Sequence, residues 1–196
     1  MLVLRCACRR NFASSQSVGR VLFFGSDEFS LQTLQRIHEH HDGGVGVVCP
    51  ADASKKAPGA VLKYAVEHGL EVHKVPTGTR HLRGFMPEPL LRGGYNLGVV
   101  ASFGYFVPAP LLSLLPRGAI NVHPSLLPKY RGASPIQTAL MNGDTETGVS
   151  IIEVHPGAWD LGDILRQERV PISSEVMFRG LHDRLAALGG EMILEA

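Results

Sequence analysis

The sequence predicts an α/β fold, a mostly parallel sheet with helices on both faces. Two patterns and one bulk property carry that expectation. Short apolar runs alternate with longer amphipathic stretches along most of the chain, the sign of strand and helix taken in turn. Gly, Pro, Ser and Asp punctuate the runs where turns are needed. Finally, 44% of the 196 residues are hydrophobic and 19% charged, enough for a sizeable core and incompatible with wholesale disorder. That length suits one large domain or two small ones.

Each element follows from local pattern. Val21-Leu22-Phe23-Phe24 reads as a buried strand, ended by Gly25-Ser26-Asp27. From Phe29 to about His40, apolar residues at 29, 31, 34 and 37 have helical spacing. Val45–Val48 is the second strand, Val61–His68 the second helix and Val72–Val75 a third strand. Leu97–Ala101 and Ala119–His123 are strands either side of a short helix at Leu111–Leu115. A helix at Ser134–Met141 follows a loop rich in Pro and Gly. Gly148–Val154 and Ile164–Val170 are late strands, and Ser174–Leu194 is a final helix that leaves an apolar face on Met192, Ile193 and Leu194. Open sheets of this kind bind ligands beyond the carboxyl ends of their strands. The Gly25–Glu28 turn has one glycine and two acids, so it predicts an N-cap and argues against a dinucleotide pyrophosphate.

Charge is unevenly spread. Lys and Arg number 19 against 18 Asp and Glu, a formal +1 that does not advertise a nucleic-acid binder. Four of the 19 (Arg5, Arg9, Arg10 and Arg20) stand before the first acid, Asp27, among Ser14, Ser15 and Ser17. Residues 1–20 are therefore expected to be a mitochondrial transit peptide, the alternative being a merely frayed basic N-terminus, and without them 15 basic residues face 18 acidic ones. Three cysteines, two of them in Cys6-Ala7-Cys8, cannot frame a disulfide fold and suit a reducing compartment. No run approaches the roughly 18–20 apolar residues of a membrane span, so no membrane partner is expected.

The chemistry-bearing residues fall in three places. Asn121 and His123 are two apart on a strand, so amide and imidazole share one face at its carboxyl end, next to Pro124. Together they offer N–H donors able to polarise a carbonyl and hold an oxyanion, although a hydrogen-bonded strand-end His beside a turn-forming Asn has the same spacing. Asp160 and Asp163 lie in a loop after Pro156 and Gly157. A carboxylate brought beside His123 would favour its cation and take up a proton, while an isolated Asp in such a loop is a turn residue. Between them, Pro124–Pro135 is a proline-fenced loop able to wall a flat ligand, with Lys129 and Arg131 for phosphate or carboxylate or as a solvated basic face. His38, His40 and His41 close a helix, where cations suit the dipole; no metal site is expected. Phe23, Phe24, Phe103 and Phe106 read as core or pocket wall.

At these residues the chain resembles a known family. Val21–Phe29, Asn121–Gly132 with its Ser-Leu-Leu-Pro, Arg131–Gln137, Gly143–Val149 and Asp160-Leu161-Gly162-Asp163 are together similar to the methionyl-tRNA formyltransferase family, and the leader makes the likeness one to its mitochondrial form. The resemblance implies a Rossmann-like formyltransferase domain over residues 21–196. It implies 10-formyltetrahydrofolate as cosubstrate, initiator methionyl-tRNA as partner, a monomer, and a place in the mitochondrial matrix. Asn121, His123 and Asp160 would then be catalytic, and Ser125, Leu126, Leu127 and Pro128 would line the folate site. Lys55, Lys56, Lys129 and Arg131 would be candidates for touching the tRNA.

Two departures bear on that reading. The family's C-terminal tRNA-binding β-barrel domain is expected to be absent, and the segment around Lys55 and Lys56 is shorter than the family's basic loop. Phosphate-driven affinity is therefore expected to be weak. A related folate-dependent formyltransferase or hydrolase with another acceptor, and an inactive folate-binding remnant, remain the alternatives.

Overall fold

The computed structural model describes residues 19–51, 59–79 and 81–196. Most of the expected transit peptide, and Lys55 and Lys56, lie outside the described residues. Seven strands form one sheet: β1 (Val21–Phe24), β2 (Val45–Pro50), β3 (Glu71–Val75), β4 (Leu97–Ala101), β5 (Ala119–His123), β6 (Glu146–Glu153) and β7 (Ile164–Pro171). Their order is β3-β2-β1-β4-β5-β6-β7. The first five in that order run parallel; β6 pairs antiparallel to β5, and β7 antiparallel to β6. The expected α/β architecture is borne out.

Alternation along the strands builds a core on each face. In β1, Val21 and Phe23 join one buried cluster, while Leu22 and Phe24 join the other. The first face is covered by α1 (Glu28–His40), α2 (Ala60–Glu67), α5 (Pro135–Met141) and α6 (Phe178–Met192). The second is covered by two short helices, α3 (Glu88–Leu91) and α4 (Ala109–Leu112), and their loops. α3 has only four residues and contains Pro89, so neither length nor periodicity announces it. In β5, Ile120 and Val122 enter the first core, leaving Asn121 and His123 to share the other face.

Element ends differ from expectation for local reasons. Asp27 is the N-cap of α1: its carboxylate accepts from the Ser30 amide, and the Ser30 hydroxyl in turn accepts from the Asp27 amide. The last helix begins at Phe178, because Met177 before it is extended at φ −89° and ψ 159°. It closes in a 3₁₀ turn, Ile193–Glu195. Met192 and Ile193 are buried there, and of the expected apolar face only Leu194 stays open.

The amino end of the sheet is held by a polar network. Tyr95 is fully buried, its hydroxyl donating to Glu71 Oε2 at 3.0 Å and accepting from His73 Nε2 at 2.9 Å. The Arg20 guanidinium, 2.7 Å from the same carboxylate, holds Glu71 below the usual carboxylate range. Burial pushes the Tyr95 phenol up and the His73 imidazole down. Gly46 leaves the ring its room: a Cβ there would lie 2.0 Å from the Tyr95 hydroxyl oxygen. Gly46→Ala should therefore destabilise the chain by about 1–3 kcal/mol, the usual cost of overpacking, read as a lower urea midpoint with an unchanged slope.

Candidate active site

Strand order reverses between β1 and β4, and in such sheets the loops that leave the strands on either side of that reversal form a crevice. The turn after β1 brings Ser26 and Asp27 to this point; Ser102, Phe103 and Gly104 follow β4. Ser26 donates to the Ser102 carbonyl at 2.8 Å, and the Ser102 hydroxyl donates to Asp27. These residues line a cavity of about 780 Å³. Its other walls include Asn121 and His123 from the end of β5, Gly132–Gln137, Trp159 and Asp160, and Phe178 and His182 from α6. Its size lies within the roughly 300–1,000 Å³ range of ligand pockets.

A second, much smaller cavity of about 40 Å³ adjoins it, lined by Tyr105, Phe106, Val107, Ile152, Val154 and Trp159 among others. Asn121 and Asp160 line both cavities, so amide and carboxylate stand at the boundary between them.

The three residues singled out in the sequence meet here. Asn121 donates from Nδ2 to Asp160 Oδ1 at 3.1 Å, leaving its second N–H for another acceptor. Asp160 Oδ2 accepts the Gly132 amide at 2.7 Å and lies 3.6 Å from His123 Nδ1. Side chains of His123 and Asp160 are each only 6% exposed, so this carboxylate depends on those donors. His123 Nε2 lies 2.9 Å from the Tyr130 carbonyl. A carbonyl can only accept, so Nε2 carries the hydrogen and Nδ1 is the nitrogen turned to Asp160.

Backbone geometry sets these positions. Asp160 has φ +49° and Tyr130 φ +58°, left-handed values that non-glycine residues adopt only where their surroundings enforce them. Gly162 lets the Asp160 loop press on the end of β6: a Cβ there would lie 1.7 Å from the Glu153 carbonyl oxygen. Arg131 Nε donates to the Asp160 carbonyl at 3.1 Å, tying the loop down from the other side. Asp163 does not join the cluster; its carbonyl accepts the Glu153 amide at 2.9 Å.

Ser125–Pro128 line neither cavity. Ser125 is fully buried and donates to the Lys129 carbonyl at 2.6 Å. Buried Ser150 on β6 donates to the Ser125 carbonyl at 2.7 Å and accepts the Leu127 amide at 3.2 Å, while Gln167 of β7 donates to the Leu127 carbonyl at 3.0 Å. This segment thus braces the loop that carries Tyr130 and Gly132. Lys129 pairs with Asp144 at 3.6 Å and is largely exposed. The clustered histidines bond separately, His38 to Tyr64, His40 to the Arg36 carbonyl and His41 to the Gly19 carbonyl. Among the described residues no group of three His, Cys, Asp or Glu could hold a metal, and no helix is long and apolar enough to cross a membrane. Motif reading missed Tyr130, whose carbonyl fixes the imidazole, and the α6 residues Phe178 and His182. Nothing local in the sequence places α6 at the mouth of β5.

Residues 19–196 match the formyl transferase family, and the chain belongs to it. Among its relatives, a methionyl-tRNA formyltransferase of Cereibacter sphaeroides is 38% identical across 90% of this chain and 59% of its own. The mitochondrial methionyl-tRNA formyltransferase of Homo sapiens is 35% identical across 95% of this chain and 46% of its own. The chain thus spans about half the length of these relatives. The fold also matches the crystal structure of phosphoribosylglycinamide formyltransferase from Streptococcus pneumoniae, with TM-score 0.71, 24% identity and coverage of 91% of this chain and 96% of that one.

Because Gly162 is the close approach that seats the Asp160 loop, Gly162→Ala should shift Asp160 away from Asn121. The change is read as altered side-chain amide signals of Asn121 in nuclear magnetic resonance spectra, with the fold retained in circular dichroism.

Proposed function

We propose that this chain transfers the formyl group of 10-formyltetrahydrofolate to the amino group of methionyl-tRNA, for the start of mitochondrial translation. The observation that carries this reading is the meeting of the Asn121 amide, the His123 imidazole and the Asp160 carboxylate where two cavities join. Membership of the formyl transferase family and the methionyl-tRNA formyltransferase relatives support it. The basic, serine-bearing residues 1–20, read as a transit peptide, and the mitochondrial relative support the location in the matrix.

The folate supplies a formyl carbon bonded to nitrogen and therefore open to attack by an amine. The second N–H of Asn121, and His123 when protonated, donate to the oxygen of the transferred carbonyl as charge builds there. The amine nitrogen bonds to the formyl carbon, the bond to the donor nitrogen breaks, and the proton lost by the amine passes to that departing nitrogen. Asp160 is the nearest base in the cluster to receive that proton first.

The two cavities suit the two substrates. Tyr105, Phe106 and Trp159 with aliphatic Val107, Ile152 and Val154 make a lining fit for a flat ring. At about 40 Å³ that space admits a ring only if half-exposed Trp159 moves. The larger cavity has Asp27 and Asp160 but no Lys or Arg among its described lining, a setting for an amine and not for an anion. Lys129 and Arg131 on the exposed rim, with Lys55 and Lys56, are the groups proposed to meet tRNA phosphates, and the chain is proposed to act as a monomer.

The test is formyl transfer from labelled 10-formyltetrahydrofolate to charged initiator methionyl-tRNA, with released formate followed without tRNA. Asn121→Ala should lose roughly 10²–10³ in kcat, as expected for one oxyanion donor. His123→Ala and Asp160→Ala should each lose roughly 10²–10⁴. Folate binding, read from the fluorescence of Trp159, should survive in all three variants; Trp159 is the only tryptophan of the chain. Formate release without tRNA would mark a hydrolase. Binding with no product at all would mark a non-catalytic folate module.

A further inference from the structure

Tyr130 supplies the carbonyl that fixes the His123 ring, and something must hold Tyr130 in its left-handed conformation at φ +58°. The candidate is its own side chain. The Tyr130 hydroxyl donates to Asp144 Oδ2 at 2.7 Å and accepts from Asn142 Nδ2 at 3.0 Å. Asn142 and Asp144 stand in the turn between α5 and β6, which has its own anchor: the Asp144 amide donates to the Ala139 carbonyl at 3.1 Å. The phenol is therefore clasped by two side chains of a separate element, with Lys129 adding its ammonium to Asp144 at 3.6 Å.

The same short loop steers both titratable members of the cluster. Tyr130 accepts from His123 through its carbonyl, the Arg131 guanidinium donates to the Asp160 carbonyl, and the Gly132 amide donates to the Asp160 carboxylate. A shift at Tyr130 therefore moves the acceptor of Nε2 and the donor to Asp160 together. Once its carbonyl partner is displaced, a neutral imidazole is free to carry its hydrogen on Nδ1, facing Asp160, instead of on Nε2.

We propose that the Tyr130 hydroxyl, clasped by Asp144 and Asn142, is a positioning group that sets the tautomer and orientation of His123. Tyr130 touches no substrate in this account and acts only through its backbone carbonyl. The consequence for turnover rests on the formyl-transfer reading above; the consequence for the imidazole does not.

The experiment uses the full chain labelled with ¹⁵N at histidine, with the His123 resonance assigned by its loss in His123→Ala. Two-bond ¹H–¹⁵N spectra report which ring nitrogen carries the hydrogen in the neutral form. The parent should show His123 with hydrogen on Nε2. Tyr130→Phe, which keeps the ring and removes the hydroxyl, should give a mixture of tautomers. In the formyl-transfer assay it should lower kcat by roughly 10²-fold, the scale of a misplaced catalytic group, with the KM for folate unchanged. Asp144→Ala should reproduce both effects and serves if Tyr130→Phe does not fold. Tyr64→Phe removes the hydroxyl that meets His38, away from the cluster, and should leave the His123 signal and turnover as in the parent. An unchanged His123 tautomer in the folded Tyr130 and Asp144 variants overturns the proposal, whatever kcat does. A changed tautomer in a chain whose parent transfers no formyl group supports the positioning role and refutes the formyl-transfer reading alone.

Discussion

A carboxylate with 6% of its side chain exposed is costly unless every lone pair that lost water finds a donor. Asp160 finds the Asn121 amide on one oxygen and the Gly132 amide on the other, with the His123 ring 3.6 Å away. Those donors come from a strand end and from the loop that follows it, while Asp160 comes from a connection 28 residues beyond Gly132. Satisfying one buried charge therefore locks three separate segments into a single arrangement. The left-handed backbone of Asp160 and the bare Gly162 are what this arrangement asks of the 156–163 loop.

The sheet makes that meeting possible. Parallel β1, β4 and β5 direct their carboxyl ends to one edge, and the reversal of order between β1 and β4 opens the crevice there. Antiparallel β6 then runs back beside β5, with His123 opposite Ser150 and Asn121 opposite Ile152. Leaving β6 at Glu153, the chain has only to turn to bring Asp160 back over Asn121. Ser150, at the matching register, pins the loop on which Tyr130 and Gly132 ride. Registry between two strands thus aligns the imidazole, the carboxylate and the loop that orients both.

Much of this was legible in the sequence. The central strands β1, β2, β4 and β5 were marked by their apolar runs, and the two-residue spacing placed Asn121 and His123 on one face because strand side chains alternate. The antiparallel pairing of β7 with β6 was not read from periodicity, yet the stretch from Val154 to Asp163 that joins them carries no helical pattern. A parallel return needs a crossover, which that stretch does not provide. The four-residue α3, holding Pro89, lies below the length at which a period can be counted. Ser125 and Leu127 are held by the polar groups of β6 and β7, because Ser150 and Gln167 offer partners that only the fold brings near. Left-handed Tyr130 and Asp160 leave no mark in residue type, since neither is a glycine. The tyrosine clasp depends on a turn 12 to 14 residues away and is invisible to any local window.

The central claim is that Asn121, His123 and Asp160 act as one cluster built around a shared buried charge. A double-mutant cycle on the formyl-transfer rate tests it most directly, because groups that work as a unit do not contribute additively. The account predicts that the His123→Ala, Asp160→Ala double variant is no slower, within about threefold, than the slower of the two single variants. Losses that multiply across the two positions would contradict it, for they would mean that imidazole and carboxylate act independently.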